Sequence, residues 1–283
     1  MTKVAVLGLG IMGHGIADNF LKKGYEVTVW NRSPQKADNL VSRGARRADS
    51  VADAVQGAEL VFEVTANDES AREIWLGEGG IIAHANAAQA LITCATLSVD
   101  CVDELAEVCA EKGLIFFDMP MTGSRAGAES GTLVLLAGGD EQKLDEVKTH
   151  LENISSQVKY FGSAGSGMRI KLVLNCLQAV HLAGFGEAMR LAKALGLDEK
   201  QTGEMLCEKP GGATTQLAWR DYQNHPRPIN FAVELIAKDE TYALRNIDPT
   251  MVPLIASTLV SYQKAITEGH SHDDWTILTR YKT

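Results

Sequence analysis

The stretch KVAVLGLGIMG, residues 3–13, decides the fold because it joins a short apolar strand to a helix through a glycine-rich turn. Its glycines fit the pattern G-x-G-x-x-G. Gly8 permits the tight turn, Gly10 lets a pyrophosphate approach the backbone, and Gly13 allows close packing of the helix on the strand. The helix N-terminus also offers free N–H groups to phosphates. We therefore expect this end of the chain to bind a dinucleotide.

The second apolar run, EVTVW, ends in Asn31-Arg32-Ser33, and Lys36 follows one short turn later. A site for NAD commonly has an acidic residue here for the ribose 2′-hydroxyl, whereas an arginine accommodates the 2′-phosphate of NADP. The strand end carries no acid. The segment therefore predicts NADP. The alternative is an ordinary polar turn in which Pro34 begins a helix.

Strand and helix patterns alternate as far as about residue 163, which indicates a mostly parallel sheet with helices on both faces. The apolar runs that predict strands are KVAVLGL, EVTVW, ELVFEV, ALITCA, LIFFDMP and TLVLLAG. After the turn GSAGSG, helical patterns lie near 168–195, 198–208, 230–247 and 250–268, and the turn-like segments KPGGATT (209–215) and NHPRPIN (224–230) separate them. We predict an α/β Rossmann-type, NADP-binding domain over 1–163 and an all-α substrate and oligomerisation domain over 164–283. A long helix over 165–195 links the two.

Composition narrows the range of partners. A formal charge of -9 argues against nucleic acid or an anionic membrane surface as a general partner, and no apolar run reads as long enough to span a bilayer. The five cysteines lack any CxxC spacing, so we expect reduced, mostly buried thiols and a cytoplasmic protein. His270 and His272 could suggest a metal, but a polar loop explains them better, and we expect no metal site.

The stretch GSGMRIKLVLNCLQAV, residues 165–180, predicts a helix that is apolar on most sides. Its spacing places Lys171, Asn175 and Gln178 on one face. An ammonium in a core helix is costly unless it is paired or used. Lys171 could be a surface lysine whose stem lies along apolar neighbours, but the surrounding motifs favour a functional role.

Several motifs, in the same order, resemble the 3-hydroxyisobutyrate dehydrogenase (β-hydroxyacid dehydrogenase) family over essentially the whole chain. They are GLGIMG, NRS, DMPMTGS, GTLVLLAGG, G-x-G-x-x-x-K-x-x-N and KD. The NRS segment is similar to that of the family's glyoxylate and succinic semialdehyde reductases. The resemblance implies an NADP(H)-dependent oxidoreductase that interconverts a small, carboxylate-bearing hydroxy acid and its semialdehyde or oxo acid. It also implies a homodimer or homotetramer.

The resemblance assigns roles to individual residues. Lys171 matches the catalytic lysine of the family. The expected substrate contacts are Thr122, Gly123 and Ser124, which would hold the carboxylate, together with Asn175, Phe231 and Asp239. The expected cofactor contacts are Gly8, Leu9, Gly10, Ile11, Met12, Gly13, Asn31, Arg32, Ser33, Lys36, Val64, Thr65, Thr96 and Lys238. Cys176 and the pair Ser124-Arg125 differ from many members, so the individual substrate stays open.

Hydride transfer to a carbonyl agrees with this assignment, because negative charge develops on the carbonyl oxygen and a positioned acid must protonate or stabilise it. A lysine in a desolvated cleft suits this task, since burial lowers the pKa of an ammonium group. Two alternatives share the architecture: an imine reductase, and a non-catalytic NADP-binding oligomeric module. Both usually lack the helix lysine, so Lys171 counts against them.

Overall fold

The computed structural model describes residues 1–208 and 212–280. The chain forms two compact units, Met1–Lys171 and Leu172–Thr283. The first unit is α/β, and the described part of the second is helical apart from one isolated β-bridge. The predicted fold class is therefore confirmed. The domain boundary predicted at residue 163 stays a prediction.

The first unit is built on one sheet, for which nine strands are described. The strands are β1 (Lys3–Leu7), β2 (Glu26–Trp30), β3 (Arg46–Arg47), β4 (Leu60–Glu63), β5 (Ala90–Thr93), β6 (Ile115–Asp118), β7 (Met121–Thr122), β8 (Leu133–Gly139) and β9 (Ser155–Gly162). Strands β3-β2-β1-β4-β5-β6 are parallel, in the order of a dinucleotide-binding sheet. Strand β8 is antiparallel to β6 and β7, and parallel to β9.

Both faces of this sheet are buried. Along β1, Val4 and Val6 belong to one hydrophobic core cluster, whereas Ala5 and Leu7 belong to another, because successive side chains of a strand point to opposite faces. The covering helices are α1 (Ile11–Lys22), α2 (Asp38–Ser42), α3 (Val51–Val55), α4 (Asp68–Leu76), α5 (Ile81–His84), α6 (Val99–Glu111), α7 (Ser124–Ser130) and α8 (Glu141–Leu151). Continuous apolar runs in the sequence therefore mark strands covered on both sides.

Helix α9 (Ser166–Ala194) carries the chain from the first unit into the second. The second unit continues with α10 (Glu199–Leu206), α11 (Ala213–Gln223), α12 (Val233–Leu244) and α13 (Pro253–Thr267). Its core contains Phe185, Met189, Ile236 and Tyr262, all at most 5% exposed. This unit thus has a hydrophobic core of its own.

Helix α9 qualifies the expectation that no segment could span a bilayer. Among the described residues it is the one helix that is long and apolar enough to do so by length and composition. Lys171, Asn175 and Gln178 interrupt its apolar residues, so the sequence shows no unbroken apolar run there. The core helix of a globular protein passes the same test, and 44% of the apolar window is buried. This helix is therefore weak evidence for a membrane span.

Candidate active site

The glycine-rich turn connects β1 to α1 at the carboxyl ends of the parallel strands, where ligands of such sheets bind. Gly8 has a φ of +101°, and a Cβ there would collide with the Val64 carbonyl group. A Cβ on Gly13 would collide with the Gly8 carbonyl oxygen, whereas a Cβ on Gly10 would meet no described atom within 4 Å. The turn is therefore closely packed beneath and open above Gly10. A dinucleotide pyrophosphate fits this arrangement.

Asn31 connects the end of β2 to this turn. Its Oδ1 accepts a hydrogen bond from the Leu9 backbone N–H at 2.8 Å, and its Nδ2 donates to the Ser33 carbonyl oxygen at 3.0 Å. Both bonds fix the segment that carries Arg32. The structure therefore gives Asn31 a positioning role, and its direct contact with the cofactor stays a prediction.

A surface pocket of about 260 Å³ lies beside the end of β2. Its lining residues are Trp30, Asn31, Arg32, Pro34, Ala37, Arg47, Ala48 and Asp49. Arg32, Ser33 and Lys36 are all exposed, and of these three only Arg32 lines this pocket. Their contacts with the cofactor stay predictions. Arg47 is not apparent from the sequence. Arg47 reaches the pocket because the two-residue strand β3 pairs it with Val29 of β2, which only the structure shows.

Glu63, at the end of β4, holds the predicted cofactor segment Val64–Thr65. It is fully buried, and its Oε1 accepts a hydrogen bond from the Thr65 N–H at 2.6 Å. Its Oε2 accepts hydrogen bonds from the Thr93 hydroxyl at 2.6 Å and from the Trp75 indole N–H at 3.2 Å. Because several donors satisfy this carboxylate, Glu63 anchors the loop beside the glycine turn. Its apolar surroundings in the sequence do not reveal this role.

The predicted carboxylate-binding segment forms a tight turn between β7 and α7. Gly123 has a φ of +125° and Ser124 a φ of +55°. Ser124 is the one non-glycine residue with a positive φ among the residues described. Such backbone strain costs on the order of 1–3 kcal/mol and is concentrated at functional sites. The turn fixes the backbone of Gly123 and Ser124 in this strained conformation, and the carboxylate-binding role of Thr122, Gly123 and Ser124 stays a prediction.

Asp118, at the end of β6, holds the start of α9. Its Oδ1 accepts a hydrogen bond from the Gly165 N–H at 2.7 Å, and its Oδ2 accepts one from the Met168 N–H at 2.6 Å. Burial raises the pKa of Asp118 to about 6, although these bonds and Arg169 act in the opposite direction. Lys171 lies three residues beyond Met168 and is only 9% exposed. Asp118 thus fixes the helical turn that carries Lys171.

Three predicted residues meet in the second unit. The amide nitrogen of Asn175 donates to Asp239 Oδ2 at 2.6 Å, and Lys238 Nζ lies 2.8 Å from Asp239 Oδ1. Asp239 is completely buried and Asn175 is 3% exposed. The Lys238 ammonium also lies 5.1 Å from the centre of the Tyr242 ring. Asp239 therefore positions both an amide and an ammonium group.

Phe231, in the second unit, and Thr96, in the first unit, are the remaining predicted site residues. The Phe231 ring packs edge-on against Trp275, with ring centres 5.5 Å apart, and its N–H donates to Asp274. Thr96 follows β5, near the carboxyl ends of the parallel strands. The roles predicted for Phe231 and Thr96 stay predictions. The described residues contain no group of three His, Cys, Asp or Glu that could hold a metal ion.

Comparisons with known proteins extend over the whole described architecture. A family model described as the NAD binding domain of 6-phosphogluconate dehydrogenase matches residues 3–162. A second model, described as NAD-binding of NADP-dependent 3-hydroxyisobutyrate dehydrogenase, matches residues 165–281. Together the two models cover both the sheet and the helical unit.

Two relatives and one solved structure agree with these family-model matches. The chain is 34% identical over 212 residues to a 3-hydroxyisobutyrate dehydrogenase of Pseudomonas aeruginosa, covering 75% of this chain and 71% of that one. It is 29% identical over 290 residues to an NAD-dependent L-serine dehydrogenase of the same organism, covering 99% and 97%. The structure of Mycobacterium tuberculosis 3-hydroxyisobutyrate dehydrogenase with L-serine superposes with a TM-score of 0.85 at 26% identity, covering 99% and 98%. The chain therefore belongs to the 3-hydroxyisobutyrate dehydrogenase family of NAD(P)-dependent oxidoreductases that act on CH–OH groups.

Proposed function

We propose that the protein uses NADP(H) to interconvert a small 3-hydroxy acid, or a related hydroxy acid, with its semialdehyde or oxo acid. Lys171 acts as the general acid and base. The observation that carries the proposal is the placement of Lys171, which is 9% exposed on a helical turn that the buried Asp118 carboxylate fixes. A lysine that served only solubility would keep its ammonium in water.

When bound, the nicotinamide cofactor supplies the hydride for reduction and accepts it in oxidation. The Gly8–Gly13 turn binds the pyrophosphate, and Arg32 binds the 2′-phosphate. The other proposed cofactor contacts are Asn31, Ser33, Lys36, Val64, Thr65, Thr96 and Lys238. During reduction, the Lys171 ammonium donates a proton to the carbonyl oxygen, and during oxidation the neutral amine takes it back.

The Thr122–Ser124 turn is the proposed holder of the substrate carboxylate, through the Thr122 hydroxyl and the backbone N–H groups of Gly123 and Ser124. The strain at Ser124 supports this assignment, because a fixed turn presents its donors without reorganising. Asn175, oriented by Asp239, donates to the same substrate. The relatives are named for 3-hydroxyisobutyrate and L-serine, which both carry a carboxylate and a C3 hydroxyl.

Substrates with a carboxylate should therefore react much faster than neutral ones. We expect succinic semialdehyde or glyoxylate to exceed butyraldehyde or acetaldehyde by at least ~10²-fold in kcat/KM, because a site built to hydrogen-bond a substrate group strongly rejects analogues without it. NADPH oxidation by the wild-type protein measures this ratio. Thr122→Val should reduce it mainly through KM, whereas Thr149→Val, on the exposed side of α8, should not change it. Equal kcat/KM for acids and neutral aldehydes would contradict the assignment of the Thr122–Ser124 turn as a carboxylate-binding site.

The same assay separates the alternative functions. A cyclic imine included among the substrates tests an imine reductase, which would consume NADPH with the imine and not with the semialdehydes. A non-catalytic cofactor-binding module would bind NADPH and reduce none of them. Turnover of the carboxylate-bearing carbonyls alone supports the hydroxy acid dehydrogenase.

The cofactor preference is tested by equilibrium titration. We expect NADPH to bind at least ~10-fold more tightly than NADH, because a hydrogen bond to a charged group contributes roughly 1.5–3 kcal/mol and one decade corresponds to ~1.4 kcal/mol. Arg32→Ala should shrink the ratio by weakening NADPH. Arg43→Ala, which removes an arginine paired with Asp18, is the matched control. Equal wild-type affinity for both cofactors would contradict the NADP assignment.

We also propose a cytoplasmic homodimer or homotetramer. The described cysteines are all free, and four of the five are buried, which agrees with a reducing compartment. Val173 and Leu177 of α9 are 64% and 54% exposed, and exposed apolar side chains on one helix support self-association.

A further inference from the structure

The pocket beside the end of β2 contains two arginines, Arg32 and Arg47, although only the first follows the strand that usually determines cofactor choice. Arg47 reaches it because β3 pairs with β2 in parallel register, Val29 opposite Arg47. Asp49 is the carboxylate in the lining, so its charge offsets one arginine. If Arg32 were the only arginine in the lining, its charge and that of Asp49 would cancel, and the lining would have no net positive charge. Arg47 supplies the charge that a phosphate needs.

The ion pair between Arg47 and Asp38 is weak enough for a ligand to replace Asp38. Its Nη1 lies 3.1 Å from Asp38 Oδ1, and the two side chains are 40% and 60% exposed. Ion pairs this exposed contribute little, because water screens them and both side chains lose freedom. A phosphate dianion offers a guanidinium two oxygens in a geometry that matches its fork. Arg47 can therefore turn from Asp38 to an anionic ligand.

The neighbouring Arg46 has a structural role, because its guanidinium group is held by contacts within the protein. Its Nη1 lies 2.9 Å from both carboxylate oxygens of Asp53, and its Nη2 donates to the Asp53 carbonyl oxygen. Its Nε donates to the Thr28 hydroxyl at 3.2 Å. Arg46 does not line the pocket. Arg46 is therefore held by contacts within the protein and provides a control from the same strand.

We propose that Arg47 is a second specificity-determining residue for the 2′-phosphate of NADP, acting in the same pocket as Arg32. This inference rests on the proposed NADP(H) dependence. Asp38 is then a competitor of the phosphate for the Arg47 guanidinium. Substitutions at Arg47 and Asp38 should therefore change phosphate affinity in opposite directions.

The test uses calorimetric titration of the full chain with 2′,5′-ADP, which carries one phosphate at the 2′ and one at the 5′ position, and with 5′-AMP, which differs from it only by lacking the 2′-phosphate. The wild type should prefer 2′,5′-ADP at least ~10-fold. Arg47→Ala and Arg47→Gln should each weaken binding of 2′,5′-ADP by roughly tenfold and leave binding of 5′-AMP unchanged within about twofold. Arg46→Lys, which keeps a charge next to Asp53, should bind both probes like the wild type. Asp38→Asn should tighten 2′,5′-ADP by a few-fold.

The outcomes distinguish this inference from the proposal beneath it. A wild type without any preference for 2′,5′-ADP would remove the NADP assignment and the role of Arg47 together. A wild type that prefers 2′,5′-ADP, with both Arg47 variants binding it as the Arg46 variant does, would overturn only the role of Arg47. Arg47 variants that weaken both probes equally would also overturn it, because the effect would not depend on the 2′-phosphate.

Discussion

Replacing Lys171 with alanine is expected to lower kcat for the reduction of a small oxo acid or semialdehyde by roughly 10²–10⁴-fold, the usual contribution of general acid catalysis. The alanine removes both the proton donor and the positive charge beside the developing oxyanion. Lys171→Arg should be almost as inactive, because a guanidinium keeps its proton at neutral pH. Stopped-flow measurement of NADPH oxidation at saturating substrate gives the change in kcat directly.

The control for this prediction lies on the same helix. Lys193 is 77% exposed at its side chain and lies 3.8 Å from Glu199, so Lys193→Ala should retain full activity. Lys171→Ala should still bind NADPH and unfold near the wild-type temperature. If it folds, binds NADPH and retains near-wild-type kcat, Lys171 is not the general acid. If it does not fold, Lys171→Met supplies the neutral, shape-matched replacement.

Glu240→Gln is expected to remove most of a pH-dependent loss of stability in the helical unit. Glu240 of α12 is completely buried, and neither carboxylate oxygen has a hydrogen-bond partner among the described residues. Burial, with a smaller contribution from Asp239, raises the pKa of Glu240 to about 8. Between the unfolded-state pKa, about 4.3, and this value, the native state binds a proton that the unfolded state has released. Wild-type stability therefore falls as the pH rises through this interval.

The slope is about 1.4 kcal/mol per pH unit for one group, so the loss between pH 5 and pH 8 amounts to roughly 4 kcal/mol. Urea unfolding of the wild type and of Glu240→Gln across this range should show the difference between them growing with pH and levelling above pH 8. Glu187→Gln, an exposed glutamate of α9, should leave the wild-type profile unchanged. Parallel profiles for the wild type and Glu240→Gln would mean that Glu240 ionises normally.

The sequence predicts those elements of the fold whose residue types are required by local geometry. The glycine turn is readable because Gly8 and Gly13 are positions where a Cβ would meet backbone, so glycine is required there. Strands β3 and β9 are not readable, because Arg46–Arg47 has no apolar residue and Ser155–Gly162 is largely exposed. Helix α11 (Ala213–Gln223) is also missing from the helices that the sequence predicts. Its pattern lies between two turn-like segments, and contacts within the second unit decide its state.

The candidate site divides in the same way. Lys171, Asn175 and Asp239 follow from the order of the motifs, and the structure joins Asn175 to Asp239 by a hydrogen bond. Glu63 lies in the apolar run ELVFEV and Glu240 in the polar stretch KDET, and neither local pattern indicates that its carboxylate is buried. Their importance becomes visible only when the tertiary structure shows which donors surround the first and which are missing around the second.

The most direct test of the central claim follows the hydride itself. Wild-type protein is incubated with succinic semialdehyde and, in separate reactions, with each of the two NADPH diastereomers deuterated at C4 of the nicotinamide. We predict that one diastereomer yields a hydroxy acid with one deuterium on the carbinol carbon, seen by NMR, and one equivalent of NADP⁺. The other should give an unlabelled product. NADPH left unoxidised by succinic semialdehyde and by every other carboxylate-bearing carbonyl, or oxidised without deuterium in the product, would contradict the account.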